Sequence, residues 1–105
     1  MSDLPEVRNN TEKHRFEVVV GDDVALAEYR LVHGGIVLHH TEVPKAFEGK
    51  GVASRLAKAA LGYAREHDLK VIPTCEFMAG YIRKHPETHD LVHRLWRERL
   101  GLAAV

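Results

Sequence analysis

The sequence contains one cysteine, Cys75, and no apolar run that approaches the length of a membrane span. One cysteine cannot form an intrachain disulfide, and this is typical of proteins in a reducing compartment. A membrane-spanning helix needs about 20 predominantly apolar residues. The polar N-terminus, MSDLPEVRNNTEKH, lacks the apolar region of a secretory signal. We therefore expect a cytoplasmic protein that has no membrane partner.

The chain also lacks an excess of charge, because 15 basic residues balance 15 acidic ones. A neutral chain has no general electrostatic attraction to nucleic acid. Arg94, Arg97 and Arg99 lie close together in sequence, but helical spacing and the intervening Glu98 favour a solvated amphipathic helix. The eight histidines are scattered, without an HExxH motif or Cys/His pairs at zinc spacing. We expect neither a nucleic-acid partner nor a metal site.

The length of 105 residues suits one hydrophobic core, and a composition of 45% hydrophobic and 29% charged residues is that of a globular domain. We place this single domain at residues 12–100. Residues 1–11 are polar and include Pro5, so we expect a flexible N-terminus, and we expect residues 101–105 to be a frayed tail. The sequence does not indicate an oligomeric state.

The sequence predicts three strands joined by short turns: residues 15–20 are rich in β-branched residues, residues 24–32 alternate between apolar and polar side chains, and residues 36–42 form the third strand. Short turns connect antiparallel neighbours, so these strands form a meander. A helix beginning after Gly51 and a strand at 69–75 follow, and this strand–helix–strand order predicts a parallel pair. Pro73 has no N–H to donate, which places the fourth strand at a sheet edge or where pairing lapses. The fold class is therefore α/β (α+β), with helices packed on the sheet.

Two further helices are predicted near the C-terminus. The first covers residues 77–84 and ends before Pro86, because proline disfavours helical conformation in the residue before it. The second is capped by Thr88. Its buried stripe consists of Leu91, Val92, Leu95 and Trp96.

The turn Glu48-Gly49-Lys50-Gly51 follows a strand and opens a helix with the small residues Ala53 and Ser54 in its first turn. Glycine turns also occur for conformational freedom alone. The pattern is neither the dinucleotide fingerprint nor the Walker motif. First-turn amides without intrahelical acceptors favour an anion, so a pyrophosphate bound mainly by backbone amides is the more natural interpretation.

Two strings carry a resemblance to a known family: HTEVPKAFEGKGVASRL, residues 40–56, and KVIPTCEFMAGYIRKHPETHDLV, residues 70–92. They resemble the very small members of the GCN5-related N-acetyltransferase superfamily, over roughly residues 15–95. The resemblance implies a minimal fold of that superfamily, in which the parallel strands splay apart and acetyl-CoA lies in the gap. The superfamily's pyrophosphate pattern, Gln/Arg-x-x-Gly-x-Gly/Ala, falls on residues 48–53, and Glu48 departs from its first position.

The resemblance also implies the cofactor contacts. The pyrophosphate would be held by the start of the helix, at Gly49, Lys50, Gly51, Val52, Ala53 and Ser54. The pantetheine arm would bond the backbone of Glu42 and Val43. Lys50 either adds positive charge near the phosphates or is an ordinary solvated lysine.

Cys75 and His40 are the candidate catalytic residues. On residue type alone a buried cysteine is usually inert packing, but the resemblance places Cys75 where the acetyl thioester should lie. Cys75 either attacks the thioester as a nucleophile or lines the channel during direct transfer. His40 is the candidate base, and His39, which alternation turns to the opposite face, is its control. Tyr81 is a weaker candidate for donating a proton to the departing thiol.

The resemblance implies an acetyltransferase that uses acetyl-CoA and passes the acetyl group to an amine. The chain lacks the long N-terminal helical pair of larger members, so the acceptor site should be shallow and the amine could belong to a small molecule, a peptide or a protein. The rival hypothesis is a non-catalytic module that binds or senses acyl-CoA. The same glycine turn would serve such a module, whereas a reactive thiol and a base would be unnecessary.

Overall fold

A computed structural model describes residues 4–102 of the chain. Five strands form one sheet in the spatial order β1-β2-β3-β4-β5. The strands are β1 (Arg8–Asn10), β2 (Arg15–Val20), β3 (Asp23–Val32), β4 (Gly35–Glu42) and β5 (Lys70–Pro73). The helices are α1 (Val52–Glu66), α2 (Glu76–Lys84) and α3 (Arg94–Leu100). Short 3-10 segments occupy Lys45–Phe47 and Pro86–Leu91.

The predicted fold class is confirmed. Strands β1 to β4 pair in antiparallel fashion, and β5 pairs with β4 in parallel fashion, from Gly35 opposite Lys70 to Leu38 opposite Pro73. The crossover between the parallel strands is α1, since strands that run in the same direction need a long connection. Strand β5 lies at the edge of the sheet, where a proline is tolerated.

The sheet has two unlike faces, which we call the core face and the outer face. The core face packs against the helices and contributes buried residues to one hydrophobic cluster: Phe16, Val18, Ala25, Ala27, Tyr29, Ile36, Leu38 and Val71. Because side chains alternate along a strand, the residues between these belong to the outer face. Glu28 is one of them, and His40 lies directly opposite it on β4.

Helix α1 is amphipathic, and small residues let it lie close to the sheet. Its buried residues are Val52, Leu56, Ala57, Ala60, Leu61 and Ala64. The helix ends at Glu66 because Asp68 adopts a left-handed conformation, with φ 53°, and the chain turns into β5. The backbone N–H of Leu69 donates to the carbonyl of Ala64 at 2.8 Å, which closes this end of the helix.

Strand β4 contains a β-bulge beside β3. Tyr29 is opposite Leu38 but Glu28 is opposite His40, so His39 is an additional residue on β4. A bulge changes which face the following side chains occupy. Beyond it Thr41 is opposite Ala27 and therefore lies on the core face.

The predicted C-terminal helix is wrong in its boundaries. Residues Pro86–Leu91 form a 3-10 segment, and the hydroxyl of Thr88 donates to the carbonyl of His85 instead of capping a helix. Val92 is extended and bridges to Val71 of β5, so a continuous helix cannot pass through it. Helix α3 therefore begins at Arg94, and Leu95, predicted to be buried, is 63% exposed.

The chain termini were predicted as flexible or frayed, and part of each lies outside the described residues. Of the N-terminal segment, Arg8–Asn10 form the edge strand β1, which the sequence analysis did not predict. Its partner β2 supplies Glu17, which is almost completely buried and pairs with Arg8 and Arg15. At the other end Gly101, with φ 73°, terminates α3. No helix within residues 4–102 is long and apolar enough to cross a membrane.

Candidate active site

The candidate site lies where the parallel strands β4 and β5 cease to pair. The last registered pair is Leu38 with Pro73, and β4 continues for four more residues to Glu42. The carbonyl of Leu38 accepts a hydrogen bond from the Cys75 N–H at 3.1 Å and another from the Thr74 hydroxyl at 3.4 Å. These bonds hold the segment between β5 and α2 against β4. The two segments therefore separate only beyond Cys75.

Cys75 is half-buried and is the residue that precedes α2. Its backbone is extended, and its carbonyl accepts the N–H of Ala79, the first hydrogen bond of the helix. The thiol Sγ lies 3.4 Å from the hydroxyl Oγ1 of Thr41 on β4. The thiol is therefore held at the open end of the strand pair by a residue of the facing strand.

Thr41 is the site residue that the sequence analysis missed. Two effects place Thr41 beside Cys75. The bulge at His39 turns the Thr41 side chain toward the core face, and β5 ends at Pro73, before it would pair with Thr41. The string HTEV gives threonine no distinguishing pattern. Its one sequence signal is its position on the strand that feeds the glycine turn.

His40, the candidate base, lies on the outer face and is half-exposed, with 47% of its side chain accessible. Its Nε2 is 3.4 Å from a carboxylate oxygen of Glu42, two residues along the same strand face. The structure therefore brings His40 to Glu42 and Cys75 to Thr41, and it does not pair His40 with Cys75. His39, the control residue, is also exposed, at the bulge.

The predicted pyrophosphate turn leads into the backbone amides of residues 51–54, which we call the amide cradle. Gly49 and Gly51 adopt left-handed conformations with φ 76° and 71°, a region that favours glycine. A Cβ added at either glycine would meet no atom within 4 Å, so the space beside the backbone is free. Glu48 and Lys50 are exposed on this turn.

Helix α1 begins at this turn without a capping side chain. Gly51 is its N-cap, and the first intrahelical bond runs from the Arg55 N–H to the Gly51 carbonyl at 3.1 Å. The preceding N–H groups, those of Gly51, Val52, Ala53 and Ser54, thus have no acceptor within the helix. The first turn also contains no acidic residue. Uncapped amides at the positive end of a helix dipole fit a diphosphate.

Lys50 and Glu42, which were also predicted to contact the cofactor, differ from the four free amides at the start of α1. The Lys50 N–H already donates to the Phe47 carbonyl, at a long 3.3 Å. Glu42 is the last residue of β4 and is opposite Leu26, whereas Val43 follows the end of the strand. Val43 therefore offers backbone groups beyond the last registered pair, beside the open end of the strands.

Tyr81 lies on α2, one to two turns beyond Cys75. It is buried, and its ring stacks on the imidazole of His85 with a centroid distance of 3.9 Å. Burial raises the pKa of the Tyr81 hydroxyl, and the nearby charge of Glu87 raises it further. The phenol therefore stays protonated at neutral pH, as a proton donor must.

Within the part of the chain that the structure describes, no group of three or more histidine, cysteine or acidic side chains could hold a metal ion. The side-chain groups that meet at the open end of the strands are the Cys75 thiol and the Thr41 hydroxyl, and the His40–Glu42 pair lies on the outer face.

Comparisons with known proteins give a consistent result. A family described as GCN5-related N-acetyl-transferase matches residues 15–91. The chain is similar to "Protein NATD1" of Gallus gallus, with 38% identity over 91 residues, which cover 84% of this chain and 83% of the relative. It is also similar to "Protein NATD1" of Mus musculus and of Homo sapiens, each with 40% identity over 83 residues. These matches cover 76% of this chain and 76% and 74% of the two relatives.

Proposed function

The chain belongs to the GCN5-related N-acetyltransferase family, and from this premise we propose that it transfers the acetyl group of acetyl-CoA to an amine. The observation that carries the proposal is the set of four uncapped amides at the start of α1, the helix that follows β4 after a short connection, while the end of β4 faces Cys75. A diphosphate on those amides would leave the pantetheine arm to run along the end of β4, beside Val43 and toward Thr41 and Cys75.

Residues Gly51, Val52, Ala53 and Ser54 donate their backbone N–H groups to the diphosphate in this proposal. Lys50, exposed on the same turn, adds a positive charge. Glu48 lies before the cradle and is exposed, so its carboxylate can point into solvent. Acetyl-CoA supplies the thioester, and the protein supplies orientation and proton transfer.

The two catalytic candidates suit different proton transfers because they lie on different faces of the sheet. Cys75 contacts Thr41 on the core-face side, where the thioester would arrive. His40 lies on the outer face, and Glu42 can stabilise the positive charge that its imidazole gains on accepting a proton. We infer that an amine approaching over the outer face gives its proton to His40.

Two routes for the acetyl group are compatible with this arrangement. In direct transfer the amine nitrogen bonds to the acetyl carbon, the CoA thiolate leaves, and Cys75 lines the channel. In the covalent route the Cys75 sulfur bonds to the acetyl carbon, and the proton of its thiol passes to the CoA thiolate that leaves. The amine then displaces the cysteine sulfur, which takes up a proton released by the amine. The contact between Thr41 and the thiol supports a defined position for Cys75 in both routes.

Incubation with radiolabelled acetyl-CoA and a panel of amines tests the proposal. We expect coenzyme A to bind in calorimetry and label to pass to at least one amine. Label retained on the parent protein and lost in Cys75→Ser indicates the covalent route. Turnover that survives in Cys75→Ser indicates direct transfer. Absence of binding and of transfer would overturn the proposal.

Paired histidine variants test the role of the base. His40→Gln should lower the rate by about a hundredfold or more, the usual contribution of a general base. His39→Gln is the matched control, since it is adjacent, exposed and chemically identical. Equal rates in both variants would exclude His40 as the base.

The rival function is a module that binds acyl-CoA without transferring the acyl group. The amide cradle would serve it equally well, so binding alone does not separate the two functions. Tight binding of coenzyme A, with no label on protein or amine, is the result expected of the module.

A further inference from the structure

A second cleft, remote from Cys75, lies between the beginning of β5 and helix α3. It has a volume of about 660 Å³, within the range of small-molecule sites. We call it the β5–α3 cleft, and the residues that line it are Lys70, Val92, His93, Arg94, Arg97, Glu98 and Leu102.

The β5–α3 cleft is separate from the candidate active site. Lys70 is the first residue of β5, whereas Cys75 lies two residues beyond Pro73, the last residue of that strand. Three residue steps along a strand place the two ends of β5 about 10 Å apart. None of the residues proposed to bind acetyl-CoA lines this cleft.

The lining carries three permanent cations against one carboxylate. Within residues 4–102, Lys70, Arg94 and Arg97 form no ion pair with a carboxylate, although Glu98 lies among them. Asp90, near Lys70, pairs its carboxylate with Arg65 at 2.9 and 3.1 Å. The hydrogen bond from Arg65 and, to a smaller extent, the charge of Lys70 lower the pKa of Asp90. The lining itself still carries more positive than negative charge.

Two of these cations are held in place by backbone carbonyls. The Nε of Arg97 donates to the Val92 carbonyl at 3.3 Å, and the Nζ of Lys70 lies 3.4 Å from the Asp90 carbonyl. The Arg97 bond uses Nε alone, so the two terminal nitrogens of the guanidinium stay available as donors. A cation fixed beside a cleft loses less side-chain entropy when it binds an anion.

His93 supplies a further donor. Its Nδ1 accepts the backbone N–H of Leu95 at 3.2 Å, the bond that caps α3. In a neutral imidazole the nitrogen that accepts carries no proton, so the proton is on Nε2. With Nδ1 engaged in the cap, Nε2–H is the donor that His93 can offer to a ligand in the cleft that it lines.

We propose that the β5–α3 cleft binds a small organic phosphate monoester. Such an ester carries about two negative charges and three acceptor oxygens, which match the charge excess and the donors of Lys70, Arg97 and His93. The planar guanidinium of arginine can also donate two parallel hydrogen bonds to a phosphate group. Val92 and Leu102 supply apolar surface for the organic part of the ligand.

The test is a titration of the ¹⁵N-labelled full chain with phenyl phosphate, followed by NMR. We expect saturable amide shifts confined to residues 92–98 and 70–71. Arg97→Gln should weaken the affinity by about tenfold, the loss expected for one charge-assisted contact. Arg99→Gln is the matched control, because Arg99 is on the same helix but stacks on Trp96 at 4.8 Å and does not line the cleft.

A second variant and a second probe make the test decisive. Arg94→Gln removes an exposed cation that makes no ion pair within residues 4–102. It should therefore weaken the binding of phenyl phosphate without altering the fold, even if Arg97→Gln unfolds the chain. Phenyl sulfate has the same shape and one negative charge fewer, and it should bind more weakly than phenyl phosphate. Equal binding of the two probes, equal loss in Arg99→Gln, or no saturable shifts would overturn the proposal. A response to a glutamate-rich peptide with none to phenyl phosphate would also overturn it.

Calorimetry with dephospho-coenzyme A on Arg94→Gln separates this proposal from the acetyltransferase function, because this probe keeps the diphosphate but lacks the 3′-phosphate monoester of coenzyme A. Since the two sites lie at opposite ends of β5, dephospho-coenzyme A should bind the variant and the parent equally.

Discussion

The thiol of Cys75 lies 3.4 Å from the hydroxyl of Thr41, and this contact joins the end of the parallel strand pair to the start of α2. A hydroxyl can turn to accept from a thiol or to donate to a thiolate. Thr41→Val has nearly the same shape but loses the oxygen. We therefore expect slower reaction of Cys75 with a thiol reagent, by about fivefold, which corresponds to one hydrogen bond of about 1 kcal/mol.

The rate of absorbance change with a disulfide reagent at fixed pH measures this effect. Thr41→Ser is the matched control, because it keeps the hydroxyl, and its rate should stay close to that of the parent. A Thr41→Val rate equal to that of the parent would show that the contact does not influence the thiol.

Gly51→Ala should weaken coenzyme A binding and lower the stability. Gly51 has φ 71° at the N-cap of α1, and a left-handed conformation costs an alanine about 1 to 2 kcal/mol. Open space surrounds the added methyl group, so the cost comes from the backbone and not from a clash. Calorimetry with coenzyme A and urea denaturation measure the two effects, and an unchanged affinity would argue against the amide cradle.

Gly62→Ala should have the opposite effect on stability. Gly62 is exposed in the middle of α1, and a Cβ added there meets no atom within 4 Å. Replacing a glycine inside a helix by alanine stabilises the fold by about 0.5 to 1 kcal/mol. A higher urea midpoint with unchanged coenzyme A affinity is expected, and a lower midpoint would contradict the assigned helix.

Glu17→Gln should destabilise the protein at neutral pH. Glu17 is 3% exposed, and it accepts from Arg15 at 2.7 Å and from Asn10 at 3.2 Å. Burial alone would raise the pKa of this carboxyl. The hydrogen bonds from Arg15 and Asn10 and the charges of Arg15 and Arg8 outweigh burial and hold the pKa below its usual value. Loss of the charge should cost about 2 kcal/mol.

The pH dependence of this effect follows from the lowered pKa. A carboxyl whose pKa is lower in the folded state stabilises that state above the unfolded pKa of about 4.3, and the contribution is lost as the pH falls through the folded pKa. The difference in urea denaturation between the parent and Glu17→Gln should therefore be smaller at pH 3 than at pH 7. Glu12→Gln, in an exposed turn, is the control and should match the parent at both pH values.

Much of the fold follows from local patterns in the sequence. The β-branched residues at 15–20 predicted β2, alternation at 24–32 predicted β3, and apolar residues at helical spacing from Val52 onward predicted α1. The predicted start of the C-terminal helix was wrong because a tertiary hydrogen bond overrides the local sequence pattern. The His93 N–H donates to the Val71 carbonyl at 2.9 Å. This bond requires an extended conformation at Val92, which bridges to Val71.

The site was less predictable than the fold because it depends on the bulge in β4. Strict alternation from Leu38 would place His40, not Thr41, on the same face as the core residues. The bulge adds His39, shifts the register and presents Thr41 to Cys75. The glycine turn was predictable because Gly49 and Gly51 determine its backbone by their own conformational freedom.

The bridge between Val71 and Val92 has a consequence for self-association. An exposed strand edge is a template for pairing with another copy, and native proteins protect such edges. On β5 the carbonyl of Val71 is occupied by His93, and Pro73 has no N–H to offer a new strand. On the opposite edge, β1 is three residues long. Both borders of the sheet therefore resist the addition of a further strand, which protects the chain against growth into fibrils.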